Sequence, residues 1–156
     1  MRHDVCLIIL SSNHLSVDEK KIYAIKPLTF MNNSGTAIKE LIDYFKIDAK
    51  DVFVFHDDMD IDFGKIKAKF GGSSAGHNGI DSIDKFIGKD YSRVRIGIGH
   101  PKQKTKVNNH VLEDFKEDEE EKIKEIAENI VKLIPTLIEK KMDLFSSKVN
   151  QNLNGI

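Results

Sequence analysis

Val52-Phe53-Val54-Phe55 runs directly into His56-Asp57-Asp58. Four consecutive apolar residues, alternately β-branched and aromatic, lack the polar alternation of a half-exposed strand. They predict a strand covered on both faces. The polar ending marks the loop where that strand leaves the sheet. On the N-terminal side, Ala37, Ile38, Leu41, Ile42 and Phe45 recur at helical spacing, with Asn33 or Ser34 as the cap. Before them, Ile22-Tyr23-Ala24-Ile25 is a short β-prone run that stops at Lys26-Pro27. On the C-terminal side, residues 65–70 alternate as a one-faced strand, and Ile80, Ile83, Phe86 and Ile87 form a second helical stripe closing near Gly88. Residues 94–98 read as another strand and residues 107–115 as a short helix. Ile123, Ile126, Ala127, Ile130, Val131, Ile134, Leu137 and Ile138 make a long amphipathic helix with a bend expected near Pro135.

This alternation of strands and helices predicts an α/β fold, a single three-layer domain with a mixed β-sheet flanked by helices. The domain is expected to span residues 1–145. The stretch 146–156, with Asn150, Gln151, Asn152 and Asn154, reads as a loose polar tail. The sequence shows no internal repeat and no low-complexity linker.

The chain has 156 residues, 40% hydrophobic and 31% charged, which fits one soluble globular domain with a sizeable core. No apolar run approaches the ~20 residues of a membrane span. The start, Met1-Arg2-His3-Asp4, lacks the layout of a secretory signal. A single cysteine, Cys6, precludes an intrachain disulfide and suits a reducing cytosol; in its apolar run it reads as buried and inert. The formal net charge is −1, so a nucleic-acid partner needs locally concentrated positive charge. Lys65, Lys67 and Lys69 alternate and should share one strand face. Arg93 and Arg95 repeat the pattern, Lys102, Lys104 and Lys106 follow, and acidic residues gather at 117–121. Each lysine alone reads as an ordinary solvated residue. Two basic segments flanking a glycine-rich loop fit a phosphate backbone better.

That loop, Gly71-Gly72-Ser73-Ser74-Ala75-Gly76, delivers His77-Asn78-Gly79. It places an imidazole beside a carboxamide, groups that hold a polar substrate by hydrogen bonds. With Phe30-Met31-Asn32-Asn33-Ser34-Gly35 and His56-Asp57-Asp58, it makes three polar clusters, each ending an apolar segment, as three loops at one rim of a sheet do. His56, Asp57, Asp58 and Asp60 have no second ligand set at metal-binding spacing, so no metal is expected. The glycines lack the lysine-serine ending of a phosphate-binding loop. His56 reads as packed; His14, His100 and His110 read as loop or surface residues. His77 reads equally as a loop-orienting or a substrate-contacting residue.

Several blocks together resemble bacterial peptidyl-tRNA hydrolases. These are residues 26–35, His56-Asp57-Asp58-Met59-Asp60 with Gly64-Lys65, Gly76-His77-Asn78-Gly79, residues 91–101, and Val111-Leu112-Glu113-Asp114-Phe115. Their order and approximate spacing agree over residues 22–115. The resemblance implies hydrolysis of the ester between peptide and tRNA without metal or organic cofactor, in the cytosol, by a monomer with peptidyl-tRNA as its partner and no membrane association. It implies an imidazole general base oriented by a carboxylate, matched by Asp57. Phe30 and Asn32 match positions that contact the peptide or the tRNA end, and Asn78 matches a second contacting amide; Met31 and His77, beside them, are further candidate contacts. Lys67, Lys69, Arg93 and Arg95 lie where the family places charge for phosphates.

The N-terminus departs from the pattern. The family opens with a strand and an Asn-Pro-Gly turn, then a Thr-Arg-His-Asn segment whose histidine is the base. Arg2-His3-Asp4 with residues 5–10 resembles that catalytic segment and the helix after it, with Asp4 and Cys6 replacing asparagine and glycine. Two readings stay open. In one, His3 is the base and the region before Asn32 is shortened. In the other, the likeness is accidental and residues 5–10 form a strand. Both expect a sheet lacking its first strand, with neighbouring backbone groups exposed. A catalytically impaired homologue that binds RNA or a protein partner is the alternative function.

Overall fold

The computed structural model describes residues 7–11, 21–100 and 116–153. Its five-stranded mixed sheet has the order β2-β1-β3-β5-β4, formed by β1 (Leu7–Ser11), β2 (Ile22–Ile25), β3 (Val52–Asp58), β4 (Ile66–Phe70) and β5 (Ser92–Gly97). The helices are α1 (Ser34–Phe45), α2 (Asn78–Ile87), α3 (Glu117–Ile138) and α4 (Met142–Leu153). The α/β class and the mixed sheet flanked by helices agree with the sequence reading. The helix expected at 107–115 lies outside the described residues.

β3 is buried along its whole length, as its unbroken apolar run requires. β1 is antiparallel to both β2 and β3, pairing Ile8 with Ile25 on one side and with Val54 on the other. Residues 7–11 are a strand, as one of the two readings of residues 5–10 has it, and not the helix that their likeness to a catalytic segment implied. β1 supplies hydrogen-bonding partners to both β2 and β3. At the far side, β4 and β5 are antiparallel: Gly71 N donates to Tyr91 O at 2.8 Å and Gly97 N to Lys65 O at 2.8 Å.

The described residues pack as two compact units, one built from 57–68, 95–100 and 116–153, the other from 7–11, 21–56 and 69–94. In the second unit, Ile38, Ile42, Ile47, Val52, Val54, Ile80, Ile83 and Tyr91 form the core. α1 ends where Lys46 turns left-handed at φ 54°, which lets Ile47 N reach Ile42 O at 2.9 Å. Gly35 lets α1 approach α2 closely: a Cβ there would fall on the Ser82 carbonyl oxygen. Its N–H, one of the donors that helix geometry leaves over at an N-terminus, bonds Ser82 Oγ at 3.0 Å.

In the first unit, α3 opens with Glu117, Asp118, Glu119 and Glu120, charges that suit the positive end of a helix. Lys116 N donates to Glu119 Oε2 at 3.0 Å. The helix continues through Pro135. The proline deprives Val131 of an N–H partner, but Val131 is exposed, so water can serve its carbonyl.

The stretch from Ser146 is not a loose tail; it is helical through Leu153. Phe145 and Val149, four apart, are buried, and the adjacent polar stripe caps the edge of the sheet. Asn150 Oδ1 accepts from Ile66 N and its Nδ2 donates to Ile66 O, both at 2.9 Å. Ser146 Oγ accepts from Ala68 N at 2.8 Å. The polar residues that suggest disorder in sequence are those that complete β4, the last strand in the sheet order.

Candidate active site

Within the second unit, three short segments come into contact. The first is the 3₁₀ turn Met31–Asn33, closed by Asn33 N to Phe30 O at 2.8 Å and by Ser34 Oγ to Met31 O at 2.8 Å. It leaves Phe30 83% exposed and the Asn32 side chain facing solvent. The second is the start of α2. A Cβ added at Gly79 would strike Met31 Sδ and crowd the His77 ring, so only glycine allows the turn, the histidine and the helix to meet. The third is the end of β3. Buried His56 meets His77 edge to face, ring centres 4.9 Å apart and planes at 69°.

His77 is the N-cap of α2. Its Nδ1 accepts from Gly79 N at 3.1 Å and from Ile80 N at 3.2 Å, so Nε2 carries the ring proton. The ring orients the loop through one nitrogen and is a donor through the other. With its basic nitrogen engaged by two N–H groups, it is poorly suited to act as a general base. The glycine-rich loop reaches this cap through Ala75 at φ 49° and Gly76 at φ 81°, and His77 N donates to Ser74 O at 3.0 Å. Asn78, the first residue of α2, is exposed, and its amide lies at the positive end of the helix. Asn32 and Asn78 are thus each one residue from the touching pair Met31 and Gly79.

The other sequence-derived candidates divide. Asp57 lies buried in β3, in the residue after His56. Lys67 is exposed on β4, between buried Ile66 and Ala68, as the alternation predicts. Lys69 is half-buried, its ammonium packed over Gly72. Arg93 is a correction: it is 1% exposed and cannot meet a phosphate. Its Nη2 bonds Asp84 Oδ1 at 2.7 Å, Tyr91 OH donates to the same oxygen at 2.7 Å, and the guanidinium lies 4.7 Å from the Tyr91 ring centre. Nε and Nη1 of Arg93 have no hydrogen-bond partner among the described residues. Arg95, two residues on, is 22% exposed and pairs with Asp58 at 2.7 Å. His100, exposed as expected, faces Asp60 at 3.0 Å. His3 and Cys6 lie outside the described residues. Among the described residues, no group of three or more His, Cys, Asp or Glu side chains is placed to hold a metal ion, and no helix is long and apolar enough to cross a membrane.

Residues 9–155 match the family model described as peptidyl-tRNA hydrolase. The chain belongs to the peptidyl-tRNA hydrolase family. A relative from Pelagibacter ubique, named peptidyl-tRNA hydrolase, is 70% identical over 135 residues, 86% of this chain and 73% of the relative. One of the same name from Aliarcobacter butzleri is 47% identical over 123 residues, 79% of this chain and 67% of its own length. The fold is similar to a crystal structure of the Acinetobacter baumannii peptidyl-tRNA hydrolase, with a TM-score of 0.75 at 28% identity, covering 96% of this chain and 73% of that one. The family resemblance carried by residues 22–115 is thereby established.

The sequence alone does not reveal that Asp84 partners Arg93 or that His77 caps a helix. A signal for the cap exists, since His77 stands just before the stripe of Ile80 and Ile83. Histidine, however, is not among the favoured cap residues. For Arg93 the alternation rule misleads, because β5 lies between β3 and β4 and is covered on both faces.

Proposed function

We propose that this chain hydrolyses the ester between the peptide and the 3′ ribose of tRNA in peptidyl-tRNA, releasing free tRNA for reuse in translation. The observation that carries the reading is the meeting of the Met31–Asn33 turn, the His77 cap and the end of β3 in a chain of this family. Water attacks the ester carbonyl carbon, and a general base takes its proton. The carbonyl oxygen gains negative charge in the tetrahedral intermediate. Collapse of that intermediate expels the ribose oxygen, which takes up a proton.

Asn32 and Asn78 suit the middle of that sequence. A carboxamide donates to a developing oxyanion and also pairs with the main chain of the peptide. His77, proton on Nε2, is a third donor. Phe30 offers an exposed ring for the peptide or the terminal base, and Met31, whose Sδ lies against Gly79, offers a flexible apolar contact beside the helix start. His3 is the candidate general base, since His77 is committed as a cap; Asp57 is the carboxylate that orients the imidazole. Lys67, Lys69 and Arg95 contact tRNA phosphates. The enzyme works as a monomer in the cytosol.

The test is release of tRNA from peptidyl-tRNA by the wild type, His3→Ala and Asp57→Asn. Turnover by the wild type, lost in His3→Ala, supports the assignment. Asp57→Asn should lower kcat far more than it raises KM. A folded wild type that leaves peptidyl-tRNA intact rejects the function, and an active His3→Ala rejects His3 as base.

A further inference from the structure

We propose that Asp58 is a positioning residue that holds the Arg95 guanidinium ready for a tRNA phosphate, an inference that rests on the reading of Arg95 as a phosphate contact. Asp58 ends β3 and Arg95 lies on β5, strands that are neighbours in the sheet. Asp58 Oδ2 accepts from Arg95 Nε at 2.7 Å. Its Oδ1 accepts from Asp60 N at 2.9 Å, so the carboxylate cannot turn without breaking one of the two bonds. The Asp58 side chain is 7% exposed and that of Arg95 is 22% exposed. One end of the pair is therefore anchored and the other reaches solvent.

The chemistry of the guanidinium makes this geometry useful. Nε–H is one of five donors; the other four, on the two Nη nitrogens, form the fork that grips a phosphate in bidentate fashion. Among the described residues, the hydrogen bond that Arg95 makes is through Nε. An arginine fixed in this way loses little rotamer freedom when a phosphate arrives. Arg93, on the same strand face, shows the contrast: its pair with Asp84 is sealed inside and serves the fold.

Charge alone predicts the opposite effect. A carboxylate beside a phosphate site repels RNA, so removing it should tighten binding. If Asp58 positions Arg95, removing it should weaken binding although the protein becomes more positive. The sign of the change separates the two.

The experiment is steady-state hydrolysis of peptidyl-tRNA at several salt concentrations. The proteins are wild type, Asp58→Ala, Asp58→Asn, Arg95→Ala and the Asp58→Ala/Arg95→Ala pair, with thermal melts to confirm folding. Asp58→Ala should raise KM by about fivefold, the cost of leaving one long side chain to be ordered on binding, with kcat held within about twofold. Asn at 58 has a single acceptor oxygen and can serve Arg95 Nε or Asp60 N–H, not both, so Asp58→Asn should raise KM less. Adding Asp58→Ala to Arg95→Ala should change KM by less than about twofold, because the two act through one contact. A KM unchanged or lowered in Asp58→Ala, with KM raised in Arg95→Ala, overturns the positioning role and leaves Arg95 as a phosphate contact. If Arg95→Ala leaves both KM and its salt dependence unchanged, the phosphate reading fails and the positioning role with it. Should Asp58→Ala not fold, Asp58→Asn decides by the same sign of the KM change.

Discussion

Replacing Asn150 with alanine should open the sheet edge that α4 closes. The Asn150 amide makes two 2.9 Å bonds to the backbone of Ile66, one accepting and one donating, and Ile66 is fully buried. Each lost bond costs about 1 kcal/mol net, and the stranded N–H and C=O add a desolvation penalty, for a total of about 2–4 kcal/mol. At roughly 2–4 °C per kcal/mol for a chain of this size, the melting temperature should fall by about 5–15 °C. Urea unfolding followed by circular dichroism reads this as a lower midpoint with an unchanged slope. Asn150→Asp supplies the acceptor but sets a carboxylate against the Ile66 carbonyl, so it should not restore the wild-type midpoint. A loss below about 0.5 kcal/mol for Asn150→Ala, the range of an ordinary surface change, refutes the claim that this side chain completes β4.

Three further outcomes follow from the same structure. Asp84→Ala strands the buried Arg93 charge and should cost about 3–5 kcal/mol in chemical denaturation, with no change in the salt dependence of tRNA binding. His77→Ala should cost about 1 kcal/mol through loss of the cap, and His77→Asn, which supplies a good cap, should recover most of that in thermal melts. Both should still turn over more slowly, since neither carries the Nε2 donor. Replacing Lys67 and Lys69 together with alanine should reduce the slope of log binding constant against log salt by about 1.5, corresponding to two phosphate contacts, as read by filter binding at several salt concentrations.

Where the sequence is legible, one local rule and the tertiary environment agree. The run from Val52 to Phe55 reads as a doubly covered strand, and β3 is one. Lys67 alternates with Ile66 and Ala68, and it points outward as alternation requires. The failures are places where a distant partner decides. The polar stripe of Ser146 and Asn150 looks disordered until β4 is placed beside it. Arg93 and Arg95 share one face and one composition, yet Asp84 draws the first inward and Asp58 leaves the second at the surface. Nothing within two residues of either arginine signals that difference. Residues 7–11 carry too short an apolar run to separate strand from helix by periodicity; pairing with β2 and β3 makes them a strand. At the candidate site, the asparagines and His77 are visible as residue types suited to an ester. Their meeting depends on Gly79, whose missing side chain admits Met31, a constraint of packing rather than of chemistry.

The central claim is that Asn32 and Asn78, 46 residues apart in sequence, serve one ester from one pocket. A double-mutant cycle on kcat/KM for peptidyl-tRNA, using Asn32→Ala, Asn78→Ala and the pair, measures this most directly. A coupling of at least about 0.5 kcal/mol is expected for groups that share a substrate; losses that add to within about 0.3 kcal/mol would place the two amides in separate environments and contradict the shared site.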